Sequence, residues 1–311
     1  MLNDFDLFRR NMKQVKSEVG SNGVKVDFSA NAQDPGHSAA KIAVLTKQPK
    51  GGYLPISYFT KIQNTKDVSL IGHDGESLSP EHIGLVVRYL SRYDFGFALE
   101  RAFLNPLYGA KHLQRREEAI AQLKLIENSY HPTTDDAAII AACKLVTFDS
   151  VAMGQPMTIE PYNVAVNHQT VEIIKTLLSR CSDFNNMYGA FTRCEFPFSG
   201  AFTRKTVSGF GDLLTESTLW ALDVSNAPDE EDTLLLLMNY VMGLQSFDLK
   251  KEHNALTNLG IFNPRSNTTY ILDLNNPIIS TQLISDVAKN VIGYKAGEFS
   301  HPPLLGKFGY E

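Results

Sequence analysis

Cysteine is scarce in this chain, tryptophan nearly absent, and basic charge is not in surplus. Three cysteines in 311 residues, at positions Cys143, Cys181 and Cys194, are an odd number without a CxxC spacing, and Cys143 and Cys181 fall inside helical patterns. A disulfide framework is therefore not expected, and the thiols read as reduced, core-packed groups of a cytoplasmic protein. The eight histidines include no i, i+4 pair and no HxH, which removes the usual zinc spacing. Lysine and arginine number 29 against 34 aspartates and glutamates, a formal charge of −5. Sequence-independent nucleic-acid binders draw affinity from phosphate neutralisation and carry a basic surplus, so direct nucleic-acid binding is not expected. No apolar run approaches the length of a membrane span, and the opening MLNDFDLFRRNMKQ is charged throughout, unlike a secretory signal. No membrane partner is expected.

What is present is ordinary globular material. The hydrophobic share is 43% and the charged share 20%, which suits packed domains of this length without staples. Short strand-like runs at 24–28 (VKVDF), 41–45 (KIAVL) and 52–59 (GYLPISYF) lie among Gly, Asn, Asp and Pro, and predict a small mixed α/β lobe over residues 1–75. Ser79-Pro80-Glu81 is a helix start, followed by Ile83, Val86, Val87 and Leu90 at helical spacing. Further helical patterns at about 94–104, 112–128 and 134–148 make 76–155 a helical region. Proline and glycine near 154–161 mark a soft boundary. Beyond it the order is helix (168–182), strands (188–198, 205–214, 217–225), helix (230–245), strands (256–263, 268–274) and a last helix (280–292). The fold class expected is α+β, with a distinct α/β domain over 156–311.

One stretch carries chemistry. KTVSGFGDLLTESTLWALDVS has the outline of the metal-binding hairpin of PD-(D/E)XK nucleases, in which an acid closes one strand and an acidic-x-Lys stands on the next. Carboxylates on neighbouring strands hold a divalent cation, and a lysine orients water. Asp212 matches the first acid. The second acid falls at Ala221 and the lysine at Asp223; a methyl group cannot ligate Mg²⁺, and a carboxylate cannot act as an ammonium. The RecB-type branch adds Gln-x-x-x-Tyr on the next helix, where this chain has Leu235 and Asn239, with Tyr240 one residue on.

From about residue 80 to 293 the chain resembles a group of bacterial and phage proteins of similar length. The shared features are the Gly-x-Gly-Asp turn, the Leu-Trp strand, the Leu-rich helix and the Phe-Asn-Pro-Arg hairpin. The resemblance implies a RecB-type PD-(D/E)XK nuclease fold with its catalytic residues largely substituted. It is also similar to phage counter-defence proteins that inhibit the Gabija system. That similarity implies an oligomeric, non-catalytic protein of the infected bacterial cytoplasm that binds a defence nuclease–helicase complex and needs no cofactor. The aromatic-rich stretch holding Phe191, Phe196, Phe198 and Phe202 is then the candidate binding surface; a packed sheet face is the other reading of it. The alternative function is an active nuclease using Mg²⁺ or Mn²⁺, with Asp212 and Glu172 as ligands and Asp223 able to lend a carboxylate from a shifted register.

Overall fold

The computed structural model describes residues 36–63, 69–70, 75–152, 155–295 and 297. Nine helices longer than one turn are described: α1 (Ala39–Leu45), α2 (Pro80–Asp94), α3 (Leu104–His112), α4 (Arg116–Glu127), α5 (Asp136–Leu145), α6 (His168–Tyr188), α7 (Glu230–Gln245), α8 (Lys250–Ala255) and α9 (Thr281–Asp286). The last continues as a wider helical turn over Val287–Ile292. Eight strands accompany them: β1 (His37–Ser38), β2 (Thr60–Gln63), β3 (Arg193–Pro197), β4 (Thr206–Ser208), β5 (Phe210–Leu214), β6 (Thr218–Leu222), β7 (Asn258–Asn263) and β8 (Thr268–Asp273). The protein is mixed α+β.

Helix starts follow local chemistry. The Ser79 hydroxyl accepts from the His82 N–H, Pro80 occupies the first turn, and Ile83, Val86, Val87 and Leu90 face inward along α2, as the spacing predicts. Helix α7 opens on a capping box, Asp229 accepting from the Glu231 and Asp232 N–H groups and Asp232 accepting from the Asp229 N–H. Such caps are worth about 1 kcal/mol. Its leucines are buried on most sides because the helix lies between the sheet and α1.

The main sheet has six strands in the order β2-β8-β7-β6-β5-β3, all neighbours antiparallel except β6 and β7. A parallel pair needs a long crossover, and α7 with α8 supplies it. Strands β5 and β6 form the expected hairpin, with Leu213 opposite Trp220 and Leu214 opposite Leu219. Because strand side chains alternate between faces, the sheet divides two cores. Leu213, Trp220, Leu222 and Phe262 pack with helices α2, α5 and α6; Leu214, Leu219, Leu259 and Ile261 pack with α1, α7 and α9.

Three expectations need correction or relocation. Residues 41–45 are not a strand: AAKIAVL forms α1, capped by Ser38, with Ala39, Ile42 and Ala43 buried. A short apolar run cannot be told from a strand by periodicity, and here packing on α7 decides. Residues 52–59 hold only a short 3₁₀ turn at Ile56–Tyr58, and pairing begins at β2, which adds an edge strand beside β8. The run at 24–28 lies outside the described residues. Of the described N-terminal residues, Thr60–Gln63 joins the six-stranded sheet and α1 packs on α7, and the helical middle shares one core with residues up to Phe262.

Helix α8 carries a buried histidine. His253 lies against Phe196, Phe198 and the Cα of Gly243, where an added Cβ would sit 2.0 Å from the ring. Burial pushes its pKa down from 6.5 to about 4. The neutral ring is the folded form, so its contribution is complete above pH 6.5 and is lost as pH falls through that value towards 4. The shift corresponds to about 3 kcal/mol. Melting temperature measured against pH should fall less steeply over this window in His253→Leu than in the parent chain; equal slopes would contradict it.

Candidate functional site

The residues around Asp212 come from both halves of the chain. The β5–β6 ladder ends at Leu213 and Trp220, and just beyond it the Asp212 carboxylate accepts the Leu222 N–H at 2.9 Å. The arginines that reach it come from α2, on the face opposite the core against which Ala221 packs. The other Asp212 oxygen accepts from Arg92 at 2.8 Å. The same guanidinium donates to Glu195 on β3 at 2.7 Å, so Arg92 bridges carboxylates on two adjacent strands. The bridge is nearly dry: side-chain exposure is 3% for Arg92, 8% for Glu195 and 14% for Asp212.

Neighbouring groups complete the cluster. Asn105 from α3 donates to the second Glu195 oxygen at 2.5 Å. Arg88, one turn before Arg92, donates to the Leu222 carbonyl at 3.1 Å and lies 3.8 Å from Asp212. The Arg92 guanidinium sits 5.2 Å from the Tyr89 ring centroid, and the Tyr89 hydroxyl donates to Asp149. Arg101 reaches the carbonyls of Cys194 and Glu195 at 3.4 Å. Glu195 itself has φ +44°, a left-handed conformation uncommon for a residue with a Cβ; its two charged or polar partners hold it there.

The electrostatics follow from burial and pairing. Burial alone would raise the Asp212 pKa, but the charges of Arg88 and Arg92, the Arg92 hydrogen bond and the Leu222 N–H outweigh it and hold this carboxyl below its usual range. Burial raises Glu195 and Asp149, opposed by Arg92 at Glu195 and by the Tyr89 hydroxyl at Asp149. Desolvation works against the Arg92 charge, yet Glu195 and Asp212 keep its pKa above the ordinary value. Both carboxylate partners are thus spoken for by a cation that cannot be deprotonated in proteins.

The other sequence-derived positions are accounted for individually. Ala221 is half-buried against the α7 side of the sheet. The Asp223 oxygens accept from the Ser225 N–H at 2.8 Å and from Asn263 at 2.9 Å, which makes them turn and hairpin contacts. Leu235 packs against the α7-side core, and Asn239 is buried and donates to the Phe210 carbonyl at 3.3 Å. Glu172 is half exposed on α6 and pairs with Lys175, which also meets Asp136; neither is a partner of the Asp212 cluster. Among the described residues no group of three or more His, Cys, Asp or Glu side chains is placed to hold a metal. Phe196 and Phe198 are buried beside His253, so their rings form core and not an open surface. Phe191 is half-buried and stacks on Phe95 and Phe184, and Phe202 is half-buried against the second core.

Sequence reasoning missed Glu195, Arg88 and Arg92. A signal existed: Arg88 and Arg92 are an i, i+4 pair on a helix that buries most of its surface, and such pairs share a face.

Among the described residues no helix is long and apolar enough to cross a membrane. The chain matches no family model, no curated protein and no solved structure.

Proposed function

We propose that this chain is a non-catalytic binding protein on a PD-(D/E)XK nuclease-like scaffold, with an arginine in the place where such an enzyme would hold its cation. The observation that carries the reading is the Arg92 bridge between Glu195 and Asp212. A guanidinium satisfies paired carboxylates as a cation does, but it neither binds water as a Lewis acid nor lowers its pKa. One further observation supports the scaffold: the order α6, β3, β5, β6, α7, β7 joins antiparallel strands to a parallel one through a helix.

The partner we propose is a bacterial defence nuclease–helicase complex of the Gabija type. Its support is the resemblance carried by the Gly-x-Gly-Asp turn, the Leu-rich helix and the Phe-Asn-Pro-Arg hairpin. Protein interfaces of this kind rest on a few aromatic or arginine anchors. With Phe196 and Phe198 inside the core, exposed aromatics such as Phe247 and Tyr130, at 80% and 93% exposure, are the better candidates. Co-expression with a Gabija-type complex should restore phage growth and yield a co-purifying assembly holding more than one copy of this chain. Failure to co-purify together with undiminished defence activity would remove this partner.

A further inference from the structure

A second place in the molecule, separate from the Asp212 cluster, reverses the overall charge of the chain. Strand β1, helix α1 and the turn after it pack against the start of β4 and the end of the α9 extension. Together these three segments, 36–53, 203–208 and 287–292, carry Lys41, Lys47, Lys50, Arg204, Lys205 and Lys289 and not one aspartate or glutamate. In a chain with a formal charge of −5 this is a strong local excess, and clefts lined by one sign of charge concentrate ligands of the other.

The segments line an open pocket of about 360 Å³, with His37, Ile42, Lys47, Tyr53, Lys205 and Asn290 in its wall and no acid in the lining. That volume is within the range of small-ligand sites. Its polar groups are positioned. Lys205 Nζ donates to the Asn290 carbonyl at 2.7 Å, which ties the ammonium to the wall with donors to spare. The Tyr53 N–H donates to Gln48 Oε1 at 3.1 Å, and the Gln48 amide donates to the Glu230 carbonyl at 2.8 Å, which fixes the turn that carries Tyr53, a half-buried side chain at the edge of the second core. Glu230 itself packs over Gly52, outside the lining.

Two lysines from separate segments, an aromatic ring and aliphatic walls are complementary to a ligand that joins a phosphate to a flat ring. Phosphate pairs with ammonium groups, and a base can stack on tyrosine. We propose that this pocket binds a nucleotide, with its phosphates on Lys47 and Lys205 and its base against Tyr53. The inference is independent of the reading given to Asp212.

Isothermal titration of the full chain tests it, with ATP, pyrophosphate and a short single-stranded oligonucleotide as probes. ATP should bind, more weakly as salt rises, and about tenfold or more tighter than pyrophosphate, a difference of about 1.4 kcal/mol or more. Lys47→Glu, at an exposed position, should weaken ATP about tenfold without lowering the melting temperature, and Tyr53→Ala should abolish the preference over pyrophosphate. The proposal is overturned if ATP gives no binding at millimolar concentration, or if Lys47→Glu leaves its affinity unchanged. Equal binding of pyrophosphate by the parent chain would also overturn it, as would an oligonucleotide that binds tighter than ATP, which would make the patch a nucleic-acid surface.

Discussion

Arg92→Ala is expected to destabilise the protein by about 3–5 kcal/mol, because it leaves two buried carboxylates facing each other without their common cation. Among the described residues Glu195 would keep the Asn105 hydrogen bond and the distant charge of Arg88, and Asp212 the Leu222 N–H and Arg88 at 3.8 Å. At this chain length the loss corresponds to a fall in melting temperature of about 5–8 °C. Arg92→Lys should recover only part of it, since one ammonium cannot present the planar fork that reaches both acids. Adding Glu195→Gln and Asp212→Asn to Arg92→Ala should give back stability, because the uncompensated charges are then gone. Thermal melts of the set decide the matter: a fall below about 1 kcal/mol for Arg92→Ala, the size of a solvent-exposed pair, would mean the bridge is not the dry cluster described. A corollary is that Mn²⁺ should raise the melting temperature of Arg92→Ala more than that of the parent chain.

Trp220→Ala should cost about 3–5 kcal/mol, the usual range for deleting a large buried aromatic ring. The ring is 2% exposed, lies edge-on to Phe184 at 5.0 Å between centroids and 5.1 Å from Tyr188, and covers the backbone of the neighbouring strand. At Gly260 an added Cβ would meet the indole at 2.2 Å, so the glycine is required by close approach and not by turn geometry. Gly260→Ala should therefore cost about 1–3 kcal/mol by overpacking. In the Trp220→Ala background the same change should cost almost nothing, since its clash partner has been removed. Denaturant titrations of the two single variants and the double give the coupling energy; strictly additive losses would contradict the contact.

The parts of the fold that were legible in sequence are those fixed by local chemistry. Helix α7 was legible from its leucine-rich run, helix α2 from Ser79-Pro80, and the β5–β6 hairpin from two apolar runs close together in sequence. What escaped the sequence was decided by packing between distant segments. KIAVL reads equally as a strand until α7 is present to receive its Ala39–Ile42–Ala43 face. Phe196 and Phe198 look excessive for one edge strand only until His253 and Gly243 are brought beneath them. Glu195 and Asp212 meet Arg92 across 103 and 120 residues of chain, a separation over which no periodic pattern carries information.

The proposed reading, that Arg92 stands in the place of a catalytic cation, is tested most directly by incubating the purified chain with single- and double-stranded DNA in Mg²⁺ and in Mn²⁺. The account predicts no cleavage above a metal-free control, with Asp212→Ala indistinguishable from the parent chain. Robust metal-dependent cleavage that Asp212→Ala abolishes would contradict it, and would return Asp212 to the role of a metal ligand.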